Sequence, residues 1–498
     1  MNLKTRTQAV LLVPLILLTP LILHGREEKT VSLDAIIEEL ANLRSLVEAQ
    51  QRQIEKLQAA VQPSNSATTP PVAAAEPAAY QAQSAEDLAK RIEAVSNNLG
   101  GFKLSGDLRF RADVQARTGN HVAGPLQNVR SRYRVRFNVD KDLDSKFRFH
   151  LQLSTGPYNT QTTNDQDFGA MAVKHPFSVA EAFMDYRPTA AISLRGGRME
   201  EVFADNTRFL WDDDIRLNGF QQILTIPLRG QAFKTLEIRS GEYFLSNPNV
   251  PILAANSPFV AAGYQPGQRV RDASLFHPGF VLSGDLSARW THQTTADIQL
   301  YRNQNQIQLS STANGFPVVI NNTIGLSLSG PPPAVGNATT SSGGAIYTAA
   351  RYQVARLAYR LTNRGIRMAG REMPFYLDFQ VARNIGTHQL RDALMASASL
   401  GAIRRFGDVR FLYQFAIKDA NSIIAQFTDD DLGTGSTTNI AVHALRFDLG
   451  LTSALQWQNL FFIQNARRPN DPAQMFFVPV QRGANTTYRY LGQLAFTF

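Results

Sequence analysis

From Phe102 onward, segment after segment alternates between apolar and polar side chains. A strand turns successive side chains to opposite faces, so this period of two commits the region to β-structure. Leu104, Leu108, Phe110, Ala112 and Val114 interleave with Ser105, Asp107, Arg109, Arg111 and Asp113. Tyr133 to Asp140 repeats the pattern, and Asp142 to Ser145 turns it back into Phe147 to Leu153. Tyr488, Tyr490, Gly492, Leu494, Phe496 and Phe498 again share one face. A strand ending on exposed aromatic rings is unusual in water, where termini fray. A soluble sandwich that buries its apolar face would show the same alternation. Strand length separates the two, because about ten residues cover a tilted path across a bilayer. The expected fold is an all-β transmembrane barrel, apolar outside and wet inside.

Further strands are expected near 178–187, 191–199, 218–228, 234–244, 273–285, 287–301, 347–362, 374–384, 393–404, 408–419, 437–447, 452–464 and 488–498. The barrel over 102–498 then has about sixteen antiparallel strands, an even number as in single-chain bacterial barrels. Short turns at 141–145, 188–190, 229–233, 405–407 and 448–451 fall on one side. Longer loops at 156–177, 246–272, 302–346, 420–436 and 465–487 fall on the other, and both chain ends lie with the short turns.

The first hundred residues are organised differently. Lys4 and Arg6 precede the apolar run Ala9 to Leu23, the pattern of a secretory signal peptide over 1–25. Pro14, Pro20 and the short span argue against a retained membrane helix. Leu33, Ile36, Leu40, Leu43, Val47, Gln50, Ile54, Leu57 and Val61 then follow spacings of three and four. This heptad seam predicts an α-helical coiled coil over 31–61, a trimer at least as readily as a dimer, with Gln50 fixing the register. The alternative is a single amphipathic helix lying on the barrel or on another protein. Residues 62–83 form a Pro/Ala-rich linker with no core to bury. A short helix is expected over 84–99, opened by Ser84 and Asp87, carrying Leu88, Ile92, Val95 and Leu99, and ended by Gly100 and Gly101.

Composition excludes several functions. With no cysteine there is no disulfide framework, thiolate metal site or thiol nucleophile. The net charge of +9 invites a nucleic-acid reading. The arginines, however, alternate along strands rather than cluster on a helix, and export separates the chain from nucleic acid. Eight histidines form no Ser/His/Asn arrangement, so no enzyme is expected. No cofactor is called for. Asp429, Asp430 and Asp431 lack the spaced ligands and distal Glu of a calcium loop, so they are expected to be a solvated turn and no metal is assigned.

What remains is electrostatics in a confined space. The inward faces of the first three strands carry Arg109, Arg111, Arg132, Arg134, Arg136 and Arg148. The third loop on the long-loop side, 200–217, carries Glu200, Glu201, Asp205, Trp211, Asp212, Asp213 and Asp214. An arginine ladder facing such a loop would set a transverse field across a narrow channel. Alternatively, the arginines solvate the lumen or pair with acids on neighbouring strands. The loop could equally be an ordinary external one, with Trp211 as an interfacial anchor. The insertion 302–346, with Pro331 to Pro333 and Thr339 to Gly344, reads as a flexible external loop that could tuck into a pore.

Four segments resemble the putative porins of Gram-negative and related bacteria: Gly106 to Arg111, Phe209 to Phe220, Pro374 to Asn384, and Phe406 to Gly433. The chain keeps Trp211, Asp212, Asp214 and Gly219 of the first-loop pattern, and Phe427, Thr428, Asp429 and Asp431 of the acidic one. It departs at Leu217 and Asn218, where that family has Pro and Glu. The resemblance implies an outer-membrane porin with its coiled coil in the periplasm and a constricting loop at 200–217. The last strand resembles the signal that barrel assembly machinery recognises, through Tyr490, Leu494, Phe496 and Phe498. Partners implied are outer-membrane lipid and lipopolysaccharide, that machinery, and two further copies in a homotrimer. Three readings follow: a passive diffusion porin for small hydrophilic solutes or ions, an anion- or phosphate-specific channel, and a structural tether. The tether is limited by a seam of only about 40 Å at 1.5 Å per residue.

Overall fold

Alternating sequence becomes strand wherever a neighbour completes the ladder, and here every long strand has two neighbours. A computed structural model of the protein describes residues 101–118, 125–156, 163–168, 174–246, 272–304, 316–320, 323–327, 337, 339–342, 345–348, 350–368, 371–429, 431–432, 438–467 and 486–498. The expected signal peptide, coiled coil, linker and short helix, all within 1–99, lie outside the described residues.

Sixteen long strands follow in order. They are β1 (Phe102–Arg117), β2 (Leu126–Asp142), β3 (Phe147–Thr155), β4 (Phe177–Thr189), β5 (Ile192–Met199), β6 (Leu217–Pro227), β7 (Thr235–Ser246) and β8 (Ala273–Asp285). The second half comprises β9 (Trp290–Arg302), β10 (Gln353–Met368), β11 (Arg371–Asn384), β12 (Asp392–Gly401), β13 (Val409–Lys418), β14 (Ile440–Gly450), β15 (Leu455–Ala466) and β16 (Thr486–Thr497). Each pairs antiparallel with the next, and β16 pairs with β1 from Asp107↔Thr497 to Arg117↔Thr487, closing the barrel. Closure leaves no unpaired sheet edge, a requirement for crossing lipid with strands. No described helix is long and apolar enough to cross a membrane.

The expected strands are all present. The largest displacement is β10, expected from 347 and found from Gln353. Alternation cannot locate where pairing starts: Leu300 of β9 meets Gln353, and the Tyr352 N–H donates to the Gln304 side chain instead (2.7 Å). At the end shared by Phe102 and Phe498, connections are short, among them 143–146, 190–191 and 451–454. At the other end they are mostly long: 156–176, 200–216, 247–272, 303–352, 419–439 and 467–485. Two small hairpins stand in the insertion, Phe316–Ile320 with Thr323–Ser327 and Thr339–Ser342 with Ala345–Thr348.

Burial divides the faces as the period of two requires. Phe110, Phe379, Phe411, Leu445, Trp457 and Leu494 are exposed on the outer wall, an apolar band suited to lipid. Arg109, Arg111, Asp113 and Gln115 of β1 are buried on the inner wall. They are covered because the long loops fold inward.

Candidate functional site: a loop wedge clasped inside the barrel

Loop 200–216 lies within the lumen. Phe209, Leu210, Trp211 and Ile215 are buried in one apolar cluster with Tyr243 of β7, Leu275 of β8, Tyr301 of β9 and Met395 of β12. Trp211 is therefore no interfacial anchor, and this is no external loop. Short polar turns shape it. The Asp205 carboxylate accepts from the Thr207 N–H (3.1 Å) and hydroxyl (2.6 Å), and Asp212 accepts the Asp214 N–H (2.8 Å). Asn206 and Arg208 take left-handed backbone, φ 57° and 62°, a conformation costly for a residue with a side chain unless its surroundings fix it.

A second loop, 419–439, docks on the first. The Asp212 N–H donates to the Phe427 carbonyl (2.9 Å), the Thr428 hydroxyl donates to the Phe209 carbonyl (3.2 Å), and the rings of Trp211 and Phe427 lie 5.8 Å apart. The fully buried ammonium of Lys418 donates to the Thr428 hydroxyl. The insertion reaches the same place: the Asn337 amide donates to the carbonyls of Ala420 (2.6 Å) and Ile423 (2.8 Å) and accepts the Ala425 N–H (2.8 Å). Loops 200–216 and 419–439 thus form one wedge, with Asn337 of the insertion held by the second.

Arg109, Arg111, Arg132, Arg134, Arg136 and Arg148 touch acids directly rather than face them across a gap. Arg109 and Arg111 reach Asp165 at 2.5 and 2.8 Å, and Arg132 reaches Asp167 at 2.8 Å. Arg134 and Arg136 share Asp107 at 2.9 and 2.6 Å and extend to Asp214 of the wedge at 3.4 and 3.8 Å. Arg148, near the short turns, meets Asp140 at 2.8 Å. Within the wedge Arg208 holds Asp213 (2.9 Å), Asp431 (2.8 Å) and Asp429 (3.4 Å), while Asp431 also meets Arg111 (3.2 Å) and Arg489 (3.0 Å). Asp429 and Asp431 are buried, so the turn expected to be solvated is instead a docking surface for guanidinium groups.

The loop's other acids anchor it to the far wall. Glu201 accepts from His277 Nδ1 (2.6 Å), and Asp297 binds His277 Nε2 (2.8 Å) and Arg356 Nε (2.6 Å). Arg356 in turn holds Asp205 at 2.9 Å. With a carboxylate at each ring nitrogen, His277 can donate to both only as the imidazolium. Glu200 contributes its carbonyl, which accepts the Gln221 amide (2.5 Å).

Burial opposes charge on the wedge acids, and the arginines overcome it. Burial alone would raise Asp165, but Arg109, Arg111 and Arg132 hold it well below the ordinary carboxylate range. The same opposition lowers Asp431 through Arg111, Arg489 and Arg208, and Asp213 through Arg208. Glu200 goes the other way, raised chiefly by burial. Carboxylate oxygens of Asp212, Asp213 and Asp214 lie within 4.8 Å of one another. That spacing could admit a cation, yet Arg208 and Arg134 already supply countercharge to Asp213 and Asp214.

Tyr490, Leu494, Phe496 and Phe498 stand on the outer wall, 37–55% exposed, and the Tyr490 hydroxyl donates to Asn459 (2.7 Å). Arg489 and Arg356 escaped the sequence reading although strand parity places both inward. Asp165 and Arg208 sit in loops, where no period signals direction.

Comparison with protein-family models matches residues 116–265 to the family described as putative porin. Comparison with curated proteins gives no match. Among solved structures, the anion-selective porin from Comamonas acidovorans is similar at 10% identity and TM-score 0.42, covering 80% of this chain and 99% of that one. OprB of Pseudomonas putida, in a high-pH structure, matches at 10% identity and TM-score 0.42, covering 80% and 94%. OmpF of Salmonella typhi, in complex with daunomycin, matches at 10% identity and TM-score 0.42, covering 80% and 97%.

Proposed function

With residues 116–265 matching the putative porin family on a closed barrel of sixteen strands, we propose that the protein is an outer-membrane channel for passive diffusion of small hydrophilic solutes and ions. One observation carries this reading: a closed barrel bears charged and polar side chains such as Arg109, Arg111, Asp113 and Gln115 on its inner wall and an apolar band on its outer wall. The wedge of loops 200–216 and 419–439 narrows the lumen and sets the size limit. Its buried ion pairs keep it in place, and the inner-wall arginines with Glu200, Glu201, Asp205 and Asp212 to Asp214 line or shape the narrow zone. The heptad seam at 31–61 supports a homotrimer joined in the periplasm. The outer-wall residues Tyr490, Leu494, Phe496 and Phe498 serve assembly into lipid.

Single-channel recording of the purified full-length protein in a planar bilayer tests the proposal. Conductance steps in groups of three support a trimeric diffusion channel. Folded protein that conducts nothing would sink it and would mean a barrel closed by its wedge.

A further inference from the structure

On the inner wall near the short turns, two buried carboxylates each sit beneath a pair of arginines that reach water. Asp185 of β4 takes Arg187 (2.6 Å) and Arg195 (3.3 Å) and also accepts the Ser193 hydroxyl (2.7 Å). Asp448 of β14 takes Arg410, whose Nε lies at 2.7 Å, and Arg446 at 2.9 Å. Each group of three carries one surplus positive charge.

The surplus faces water. The side chains of Asp185 and Asp448 are 1% and 0% exposed, whereas those of Arg187, Arg195, Arg410 and Arg446 are 53%, 32%, 31% and 21% exposed. The carboxylates are sunk in the wall and the guanidinium groups stand over them. Arg195 also lies over the Phe183 ring at 5.8 Å, which holds its plane against the wall. In strand order β4–β5 and β13–β14 lie on opposite sides of the sixteen-strand ring, so the two groups confront each other across the opening. On the rim between them Asp285 is likewise held by Lys234 (2.6 Å) and Arg364 (2.9 Å). Nearby acids such as Asp378 and Glu237 are each matched by an arginine of their own, Arg360 and Arg239, and leave the excess standing.

We propose that Arg187, Arg195, Arg410 and Arg446 form an anion-recruiting ring at the short-turn mouth, which gathers small inorganic and carboxylate anions. Fixed charge of one sign in a walled opening raises the local concentration of the opposite ion. Guanidinium suits this because it stays charged at every physiological pH and keeps donors to spare after pairing. The ring deepens the channel reading and rests on it.

The test is the reversal potential of the full-length protein in a planar bilayer under a potassium chloride gradient. Combining Arg187→Ser with Arg410→Ser leaves one arginine on each carboxylate, so the wall stays paired while the surplus vanishes. The chloride-to-potassium permeability ratio should fall several-fold. Combining Asp185→Asn with Asp448→Asn should raise it, and supplies a second readout if the serine variant does not fold. Conducting variants with an unchanged ratio overturn the ring alone. A wild-type protein that folds and does not conduct overturns the channel reading, and the ring with it.

Discussion

Gly106 and Phe498 exchange both backbone hydrogen bonds, the Gly106 N–H donating to Phe498 at 2.9 Å and the Phe498 N–H donating back at 3.1 Å. The Phe498 ring covers Gly106 from outside, and a Cβ at 106 would sit 2.5 Å from it and 2.4 Å from the Arg136 carbonyl. Only glycine lets β2, β1 and the last strand approach this closely.

Replacing Gly106 with Val should therefore strain the seam at backbone, where nothing can swing aside. The expected outcome is poor recovery of folded barrel, read from the gel-mobility difference between unheated and heated samples. Ala112→Val, on the exposed outer face of the same strand, should fold normally.

Arg208→Ala should free the wedge. It removes the partner of half-buried Asp213 and one of three arginines on buried Asp431, so the loss should fall below the roughly 3–5 kcal/mol typical of a fully uncompensated buried charge. Thermal unfolding should come at lower temperature and single-channel conductance should rise. A stable variant with native conductance would remove Arg208 from the clasp.

Phe427→Ala tests the contact between the two loops. Deleting a buried ring typically costs about 3–5 kcal/mol, and the Trp211 ring 5.8 Å away would lose its neighbour. Protease cleavage within loop 200–216 should accelerate while the strands stay protected.

Acid should spare the clasp over most of its range. Asp165, Asp213 and Asp431 have folded values below the ordinary 3.8, so their contribution is complete above 3.8 and fades only as pH falls below it. Glu200 has the opposite sign: its folded value is raised above 4.5, so it takes up a proton first and the folded state gains as it does. Conductance should stay level from neutral pH to about 5 and change only in stronger acid, near and below the ordinary carboxylate range. Wedge release at pH 6 would contradict this assignment.

Strand number, strand order and wall polarity were all legible in sequence, because alternation is a local signal repeated sixteen times. Arg109, Arg111, Arg132, Arg134, Arg136 and Arg148 were placed inward by parity alone. The partners were not legible. Arg208 meets Asp431, 223 positions away, and no spacing rule connects two loops that fold inward independently. Asp429 and Asp431 read as a solvated turn because three neighbouring acids ordinarily need water; the arginines that replace it come from β1, β16 and the other loop.

Asp431 binds Arg111 of β1 and Arg489 of β16, the two strands that close the ring. Its full set of partners exists only after those strands have met, and it lies 320 positions from Arg111. A barrel still open at that seam would offer the acid half a site, and so would hold the wedge weakly. Loop docking and seam closure then become a single late, cooperative event, with the entropy of long-range closure met before the clasp repays it. A partly zipped intermediate would thus keep a wide, unobstructed interior until its first and last strands join.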